Sequence, residues 1–311
     1  MIITLIAILV NLFHVQGGMY IRTVEGSLTV IHILIKYSVF LTYKSDIRGL
    51  LKDMAHFWNY KHTIKSRSLN RSIEKIYKFV KIALNGYFTS SVFALGSIML
   101  RPAFNKKNNY IFHCWVPDSI VLEATILFCQ YYFISIIIGA GFAYDLVYIS
   151  YTTHVIIQLK LLKYKLKHSV TIADLYNCVK HHQFLHTIFH RMNRVYFWAF
   201  LFHYFITLIT GCTQLYVILL GNVEFIDLIS TAVYIVELLI QFGYWAFLVD
   251  QIVFEMNGIS SAIYMSNWYE EDRFVKKILL TIMIRAQKQK YMSAGGLMDM
   301  NILAFGSVPL K

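Results

Sequence analysis

The stretch Ile120–Ser150 decides the fold class, and it reads IVLEATILFCQYYFISIIIGAGFAYDLVYIS. It contains two acidic side chains, Glu123 and Asp145, and no Lys or Arg. An α-helix needs roughly 20 mostly apolar residues to cross a hydrocarbon core of about 30 Å. The stretch is therefore predicted to be a membrane-spanning helix that continues past the bilayer.

Five further stretches have the same character: Ile2–Val15, Leu28–Tyr43, Phe79–Leu100, Val195–Leu220 and Phe225–Val249. Hydrophobic residues make up 57% of the chain and charged residues only 15%, whereas soluble domains carry about 25% charged residues. We predict an all-α, polytopic membrane bundle in which residues 1–311 form one transmembrane domain. It has six spans and the start of a seventh helix from about residue 297.

The basic residues set the predicted orientation. Alternate loops carry 4 Lys and Arg residues on one side of the membrane and 22 on the other. Short loops rich in Lys and Arg stay cytoplasmic, so the N-terminus is predicted to be cytoplasmic, inverted relative to G-protein-coupled receptors. The net charge of +12 then faces anionic lipid rather than nucleic acid. Met1–Gly17 could instead be a signal peptide, which leaves the other spans unchanged.

Three histidines, His182, His186 and His190, share one helix face at a spacing that zinc sites use. No Glu is interleaved, and we interpret the segment as an amphipathic cytoplasmic helix, with a metal site as the alternative. The sequence has no Gly-rich phosphate loop, no Gly-x-Ser-x-Gly and no paired CxxC. We therefore predict no catalytic residues, no metal and no cofactor, and hence no enzyme.

Polar residues inside spans mark function by default. The candidates are His32, Lys36, Asn85, Gln130, Asp145, His203, Gln214, Glu237 and Gln241. Glu237 lies near the middle of its span, where it pairs with a neighbour such as His203 or a bundle-facing Tyr, or else meets a ligand or an ion.

Aromatic residues in the spans predict a pocket for a small apolar molecule among the second, third, fourth and sixth helices. Five aromatic residues fall in the middle or outer halves of these helices. The pocket candidates are Phe88, Phe93, Phe128, Tyr132 and Tyr234.

Residues 256–296 contain a series of short motifs in a characteristic order. They are Met256-Asn257-Gly258, Ala262-Ile263-Tyr264, Asn267-Trp268-Tyr269, Lys276-Lys277-Ile278-Leu279-Leu280, Ile284-Arg285-Ala286-Gln287-Lys288 and Ser293-Ala294-Gly295-Gly296. Together they resemble the insect odorant receptor family, and weaker similarity covers nearly the whole chain. The predicted inverted topology agrees with that family.

The resemblance implies an odorant-gated cation channel in the plasma membrane of sensory-neuron dendrites. In that family a receptor subunit and a shared co-receptor subunit form a hetero-tetramer, and small volatile molecules bind in the outer half of the bundle. The resemblance places a subunit anchor in the cytoplasmic part of the chain. Its expected residues are Trp268, Tyr269, Arg285, Gln287, Gly295 and Gly296.

The sequence departs from the family at its end, where Ile302–Phe305 is followed only by Gly306–Lys311. This is too short for a span, and Pro309 disfavours a helix. We expect the chain to lack its pore helix, as a partial gene model, an intron read-through or a pseudogene product. The alternative functions are a gustatory receptor, a G-protein-coupled receptor and a His-cluster membrane metalloenzyme.

Overall fold

A computed structural model describes residues 2–14, 18–59, 66–104, 111, 114, 119–168, 171–220, 225–288 and 291–303. The predicted all-α class is confirmed. The described α-helices are α1 (Ile2–His14), α2 (Gly18–Thr42), α3 (Lys44–Asp53), α4 (Arg67–Phe104), α5 (Ile120–Lys167), α6 (Ile172–Leu220), α7 (Phe225–Tyr264) and α8 (Arg273–Ala286). Short 3₁₀ turns lie at Met54–His56 and Trp268–Glu270, and two strands follow α8, β1 (Met292–Ala294) and β2 (Met298–Met300).

Six of these helices, α1, α2, α4, α5, α6 and α7, overlap the six predicted spans, and most of them are longer than predicted. The extensions carry charged side chains such as Lys75, Lys163 and Glu255. Helix α6 begins well before its predicted span because Thr171 and Asp174 cap it. The Asp174 backbone N–H donates to Thr171 Oγ1 at 3.1 Å, and that hydroxyl donates to the Asp174 carboxylate at 2.6 Å.

Length and apolar character mark several helices as candidate membrane spans. In the described part of the chain these are Arg67–Leu100, Ile172–Tyr216 and Ala232–Tyr264. The bent pair Gly26–Thr42 and Lys44–His56 is a fourth candidate, and Ile120–Phe133 is a shorter apolar helix.

The chain divides into two compact units. The first unit consists of Met1–Leu41, Ala83–Leu146 and Leu201–Phe242. Side chains from α1, α2, α4, α5 and α7 meet in its apolar core, which contains Ile8, Val30, Ile98, Ile111, Phe133, Tyr234 and Leu238. Asn11 Nδ2 donates to Thr23 Oγ1 at 3.0 Å, which satisfies two buried polar groups between α1 and α2.

The second unit consists of Thr42–Ile82, Val147–Phe200 and Gly243–Lys311. Its core contains an aromatic cluster of Tyr148, Tyr196, Phe200 and Trp245, each almost completely buried. Ring centroids in the cluster lie 4.7 to 5.9 Å apart, within the range of favourable aromatic pairs. The Tyr148 hydroxyl donates to the Trp245 carbonyl at 3.1 Å, so its polar end is satisfied.

Helix α8 packs on the second unit through one face. Val275, Leu279, Ile282 and Ala286 are buried, at the three- and four-residue spacing of an amphipathic helix. Its other face leaves Phe274, Leu280 and Ile284 exposed.

A β-hairpin follows α8 where the sequence predicted the start of a seventh helix near residue 297. Strands β1 and β2 pair antiparallel, with Ala294 opposite Met298. Gly295 and Gly296 form the turn at φ 63° and 73°, a conformation that glycine adopts without steric cost. The predicted start is therefore corrected, since Met298–Met300 is a strand and helical backbone resumes only at Ile302. Residues 304–311, including Pro309, lie outside the described residues.

Candidate functional site

The first unit contains a cavity of about 310 Å³. Four helices line it, namely α2, α4, α5 and α7, and they correspond to the four helices selected for a pocket from the sequence. Its apolar wall consists of Ile33, Tyr87, Phe88, Val92, Ala94, Leu95, Ile98, Met99, Phe142 and Tyr234, with Gly139 and Gly141. A cavity of this size and character is typical of small-molecule sites.

Helical periodicity explains which part of α4 faces the cavity. Lining residues recur along this helix in pairs at positions 87–88, 91–92, 94–95 and 98–99. This three- to four-residue spacing keeps one face of an α-helix toward the cavity. Phe142 of α5 stacks on Tyr87 with ring centroids 5.3 Å apart, which fixes one aromatic wall.

Asp145 is the centre of a hydrogen-bond cluster on the cavity wall. Its Oδ2 atom accepts from Lys36 Nζ at 3.0 Å, from the Tyr87 hydroxyl at 2.7 Å and from Gln241 Nε2. Lys36 and Asp145 form a buried ion pair. A buried carboxylate is tolerated only when such partners compensate its lost hydration. The other oxygen, Asp145 Oδ1, is buried and has no hydrogen-bond partner among the described residues.

Glu237 of α7 provides a second carboxyl group on the same wall. It accepts a hydrogen bond from Ser91 Oγ at 3.3 Å, a long distance for an O–H donor. The sequence offers His203 as one neighbour of Glu237. His203 instead contacts His32, which lines the cavity, with 3.0 Å between His203 Nδ1 and His32 Nε2.

Comparisons with known proteins identify the family of this chain. The family described as 7tm Odorant receptor matches residues 20–309. The chain belongs to the odorant receptor family. It is therefore a membrane protein with apolar helices and a receptor rather than an enzyme, as predicted. No curated protein sequence matches the chain significantly.

The fold of this odorant receptor is similar to that of the insect olfactory receptor OR5 from Machilis hrabei. The TM-score is 0.87, and the match covers 99% of this chain and 83% of that chain at 14% sequence identity. A second structure, of the same receptor in complex with eugenol, matches with a TM-score of 0.88 at the same identity and coverage.

The five predicted pocket residues of the odorant receptor fall into two groups. Phe88 and Tyr234 line the cavity, and Tyr234 is buried. Phe93, Phe128 and Tyr132 are 58 to 69% exposed and do not belong to its lining. Phe93 follows Val92 by one residue and therefore points about 100° away from the lining face of α4. Phe128 and Tyr132 stack on each other along the surface of α5, with ring centroids 5.9 Å apart.

Other lining residues were not assigned to the pocket from the sequence. Phe142, Ser91 and Gly139 belong to this group. His32, Lys36, Asp145, Glu237 and Gln241 were recognised as polar groups within spans, yet only the structure brings all five to one cavity. The signal available in the sequence is that each of these five residues lies on one of the four predicted pocket helices.

The predicted anchor residues lie in the second unit, around α8 and the hairpin. Tyr269, Arg285 and Gln287 are exposed, while Trp268 and Gly295 are half-buried. The Gly295 backbone N–H donates to the Phe197 carbonyl at 3.2 Å, so the hairpin turn is tied to α6. Gln287 Nε2 donates to Ser260 Oγ at 3.1 Å, which links the end of α8 to α7.

The histidine-rich segment of α6 includes His181, which lies next to the face of His182, His186 and His190. His181 stacks on Trp58 with ring centroids 3.8 Å apart, and its Nε2 lies 3.1 Å from Gln158 Oε1. Burial, and secondarily Lys165 and His182, lower the pKa of His181 to about 4. Burial, then His186 and Arg285, lower the pKa of His182 as well. Among the described residues no group of three His, Cys, Asp or Glu side chains is placed to hold a metal ion.

Proposed function

We propose that this odorant receptor binds a small volatile molecule in the cavity of its first unit. We further propose that it forms an odorant-gated cation channel with a co-receptor subunit, as a hetero-tetramer in the plasma membrane of sensory-neuron dendrites. The observation that carries the proposal is the cavity itself, which is largely apolar and bordered by a few polar side chains. The complex of the Machilis hrabei receptor with eugenol supports a small ligand for this fold.

Binding draws mainly on apolar burial. Each Å² of apolar surface removed from water contributes roughly 25 cal/mol. A ligand that fills about 310 Å³ is small, and part of this gain offsets its lost freedom. The expected affinity is therefore in the micromolar range. The ligand opens the channel only to the extent that it binds the open arrangement more tightly than the closed one.

The exposed apolar face of α8 supports a subunit contact. Phe274 is 66% exposed and Ile284 is 56% exposed, and large exposed apolar patches mark interaction surfaces. The predicted anchor residues Tyr269 and Arg285 are exposed in the same part of the chain. We place the co-receptor contact here, on the cytoplasmic side that the basic loops predict.

Co-expression with a co-receptor subunit tests the channel function. Cells that carry both proteins should show an odorant-evoked inward cation current, and cells that carry either protein alone should respond less or not at all. Val92→Trp, which fills the cavity wall, should abolish the odorant response that depends on this chain. Phe93→Trp is the matched control, because Phe93 is exposed outside the cavity lining. Loss of the response in both variants, or in neither, would contradict the cavity as the binding site.

Co-purification tests the subunit contact separately. Ile284→Asp places a charge on the exposed face of α8 and should reduce recovery of the co-receptor. Ile172→Asp is the matched control, since Ile172 is also an exposed apolar residue of the second unit. Equal recovery of the co-receptor with both variants would remove α8 from the interface.

A further inference from the structure

Three hydrogen-bond donors on the cavity wall are directed at the protein itself. Lys36, Tyr87 and Gln241 all donate to one oxygen, Asp145 Oδ2. A ligand with only acceptor groups, such as a ketone or an ether, would have to compete with Asp145 for them. Breaking such a bond leaves a buried carboxylate less satisfied, which costs more than the new bond returns.

The acceptors on the same wall are in surplus. A carboxylate offers about four acceptor sites. Asp145 Oδ1 is buried and accepts no hydrogen bond from the described residues. Glu237 accepts a long hydrogen bond from Ser91 Oγ at 3.3 Å. Both carboxyl groups border the cavity, but Asp145 is 0% exposed. Glu237 is therefore the acid whose unused acceptor capacity a ligand would meet.

The histidine pair adds another acceptor. His203 Nε2 lies 3.3 Å from the Leu238 carbonyl oxygen, and a carbonyl can only accept, so this ring nitrogen carries the proton. A neutral His203 ring then accepts at Nδ1 from His32 Nε2, 3.0 Å away. The remaining nitrogen of His32, Nδ1, is left as an acceptor. The tautomers follow from the hydrogen-bond network.

The charged side chains on the cavity wall also favour a ligand that carries a hydrogen-bond donor. The cavity wall carries one Lys side chain, Lys36, and two carboxyl groups, Asp145 and Glu237. Lys36 forms its ion pair with Asp145 at 3.0 Å, so two carboxyl groups share one cation on this wall. An acceptor atom of a ligand would face these oxygens unfavourably, whereas a donor satisfies them. Sites built around one hydrogen-bonding partner discriminate strongly against analogues that lack it.

We propose that the cavity selects small apolar molecules that carry a hydrogen-bond donor, a hydroxyl or an amine, and that Glu237 accepts this hydrogen bond. The inference rests on the proposed odorant-binding function and names the ligand class. The cavity of about 310 Å³ lies at the lower end of the volumes of small-molecule sites, so the ligand is small.

Direct binding to the purified chain in lipid nanodiscs tests this selectivity without requiring channel activity. Two sets of compounds with equal numbers of non-hydrogen atoms serve as probes. The aliphatic set is octanol, octylamine, octanal and methyl heptyl ether. The aromatic set is the isomeric pair of ethylphenol and methylanisole. Ligand-observed NMR or calorimetry gives the Kd of each compound.

The donor compounds should bind at least about tenfold more tightly than their acceptor-only partners, the ratio that one hydrogen bond of about 1.4 kcal/mol gives. A comparison of the Kd values of octylamine and octanol then shows whether the cavity binds an amine or a hydroxyl more tightly. Equal affinity within both sets, or tighter binding of the ether and the aldehyde, would overturn the inference and leave the proposed function standing. Absence of binding by every compound would overturn the proposed function and the inference together.

Two variants test the role of Glu237. Glu237→Gln keeps the shape but replaces a carboxylate oxygen by a donor, so the tenfold preference should shrink and the acceptor-only compounds should gain affinity. Ser91→Ala removes the competing donor, so affinity for the donor compounds should hold or rise. Glu74→Gln is the control, because Glu74 is an exposed acid of α4 far along the helix. If Glu237→Gln leaves the preference for donor compounds unchanged, Glu237 does not accept the ligand's hydrogen bond, and this part of the proposal is wrong.

Discussion

Buried acids in the two units have different surroundings. In the second unit, Glu255 is 1% exposed and lies between Lys160, at 2.7 Å, and Lys163. In the first unit, Glu237 accepts a long hydrogen bond from Ser91 and borders a cavity. Both acids lie on α7, within a predominantly apolar helix. The difference indicates that a closed ion-pair network holds structure, whereas an acid beside a cavity is available to a ligand.

The aromatic residues of the two units also differ in how completely they are buried. Tyr148, Phe200 and Trp245 of the second unit pack against one another and are almost completely buried. In the first unit, Phe88 lines a cavity and keeps about half of its surface exposed. Close packing makes the second unit costly to alter, whereas the open wall of the first unit leaves room for side-chain change.

The largest expected effect comes from breaking the packed core of the second unit. Trp245→Ala should lower the free energy of unfolding by about 3–5 kcal/mol, because it leaves a large cavity among buried rings. Thermal unfolding in nanodiscs measures the change. Trp198→Ala should cost much less, since Trp198 is 45% exposed. Comparable losses for the two variants would contradict the contrast in packing.

Low pH should weaken the Trp58–His181 contact of the second unit. The folded-state pKa of His181 is about 4, below its ordinary value of 6.5, so the unfolded chain binds the proton first. The stability due to neutral His181 is therefore complete above about pH 6.5 and falls as the pH drops toward 4, by at most about 3 kcal/mol. Denaturant unfolding at several pH values measures this slope, and His181→Phe should flatten it. A slope unchanged in His181→Phe would assign the pH dependence to other groups.

A smaller effect is expected at the hairpin turn. Gly295 has φ 63°, and a side chain in this conformation costs roughly 1–2 kcal/mol. Gly295→Ala should therefore destabilise the second unit by that amount and weaken the contact of the turn with Phe197. Gly211→Ala in the first unit is the control of opposite sign, because its new methyl group meets open space and alanine favours helix by about 0.5–1 kcal/mol. Thermal unfolding of both variants decides whether the signs differ.

The smallest effect on stability is expected at Gly139, although its effect on ligand choice should be clear. Gly139 lines the cavity, and a Cβ atom there meets nothing within 4 Å. Gly139→Val should change the unfolding free energy by less than about 1 kcal/mol, while it excludes the larger members of a homologous alcohol series. Gly96→Val is the control, because Gly96 has open space but does not line the cavity. An identical size limit in both variants would argue against binding at this wall.

The pocket shows how far sequence reasoning reaches in a membrane protein. The four helices that the sequence indicates for a pocket all line the cavity, and so do Phe88 and Tyr234 among the five candidates. Phe93, Phe128 and Tyr132 do not, because lipid and an apolar cavity demand the same kind of side chain. Lipid tails are as apolar as leucine, so the hydrophobic pattern of α4 or α5 cannot tell which face is turned inward.

The hairpin illustrates a second limit. The resemblance to the odorant receptor family implied a helix after Gly295 and Gly296, but φ angles of 63° and 73° at these two residues reverse the chain. The reversal depends on partners far away in sequence. Asn193 Oδ1 accepts from the Ser293 backbone N–H at 2.8 Å, and the Phe197 carbonyl accepts from Gly295. Helix and strand propensities depend on residues that are neighbours in the sequence, so they do not predict these contacts.

The sequence by itself determined the all-α class, the approximate positions of the apolar helices and the family, because runs of apolar residues and ordered motifs are local properties. The tertiary structure decided which polar groups share one site. Lys36, Asp145 and Gln241 lie on three different helices, and only packing brings their side chains to one hydrogen-bond cluster. It also decided that Glu255 is closed between two lysines while Glu237 faces a cavity. Burial and partners, which arise between helices rather than along them, separate a structural acid from one that a ligand can reach.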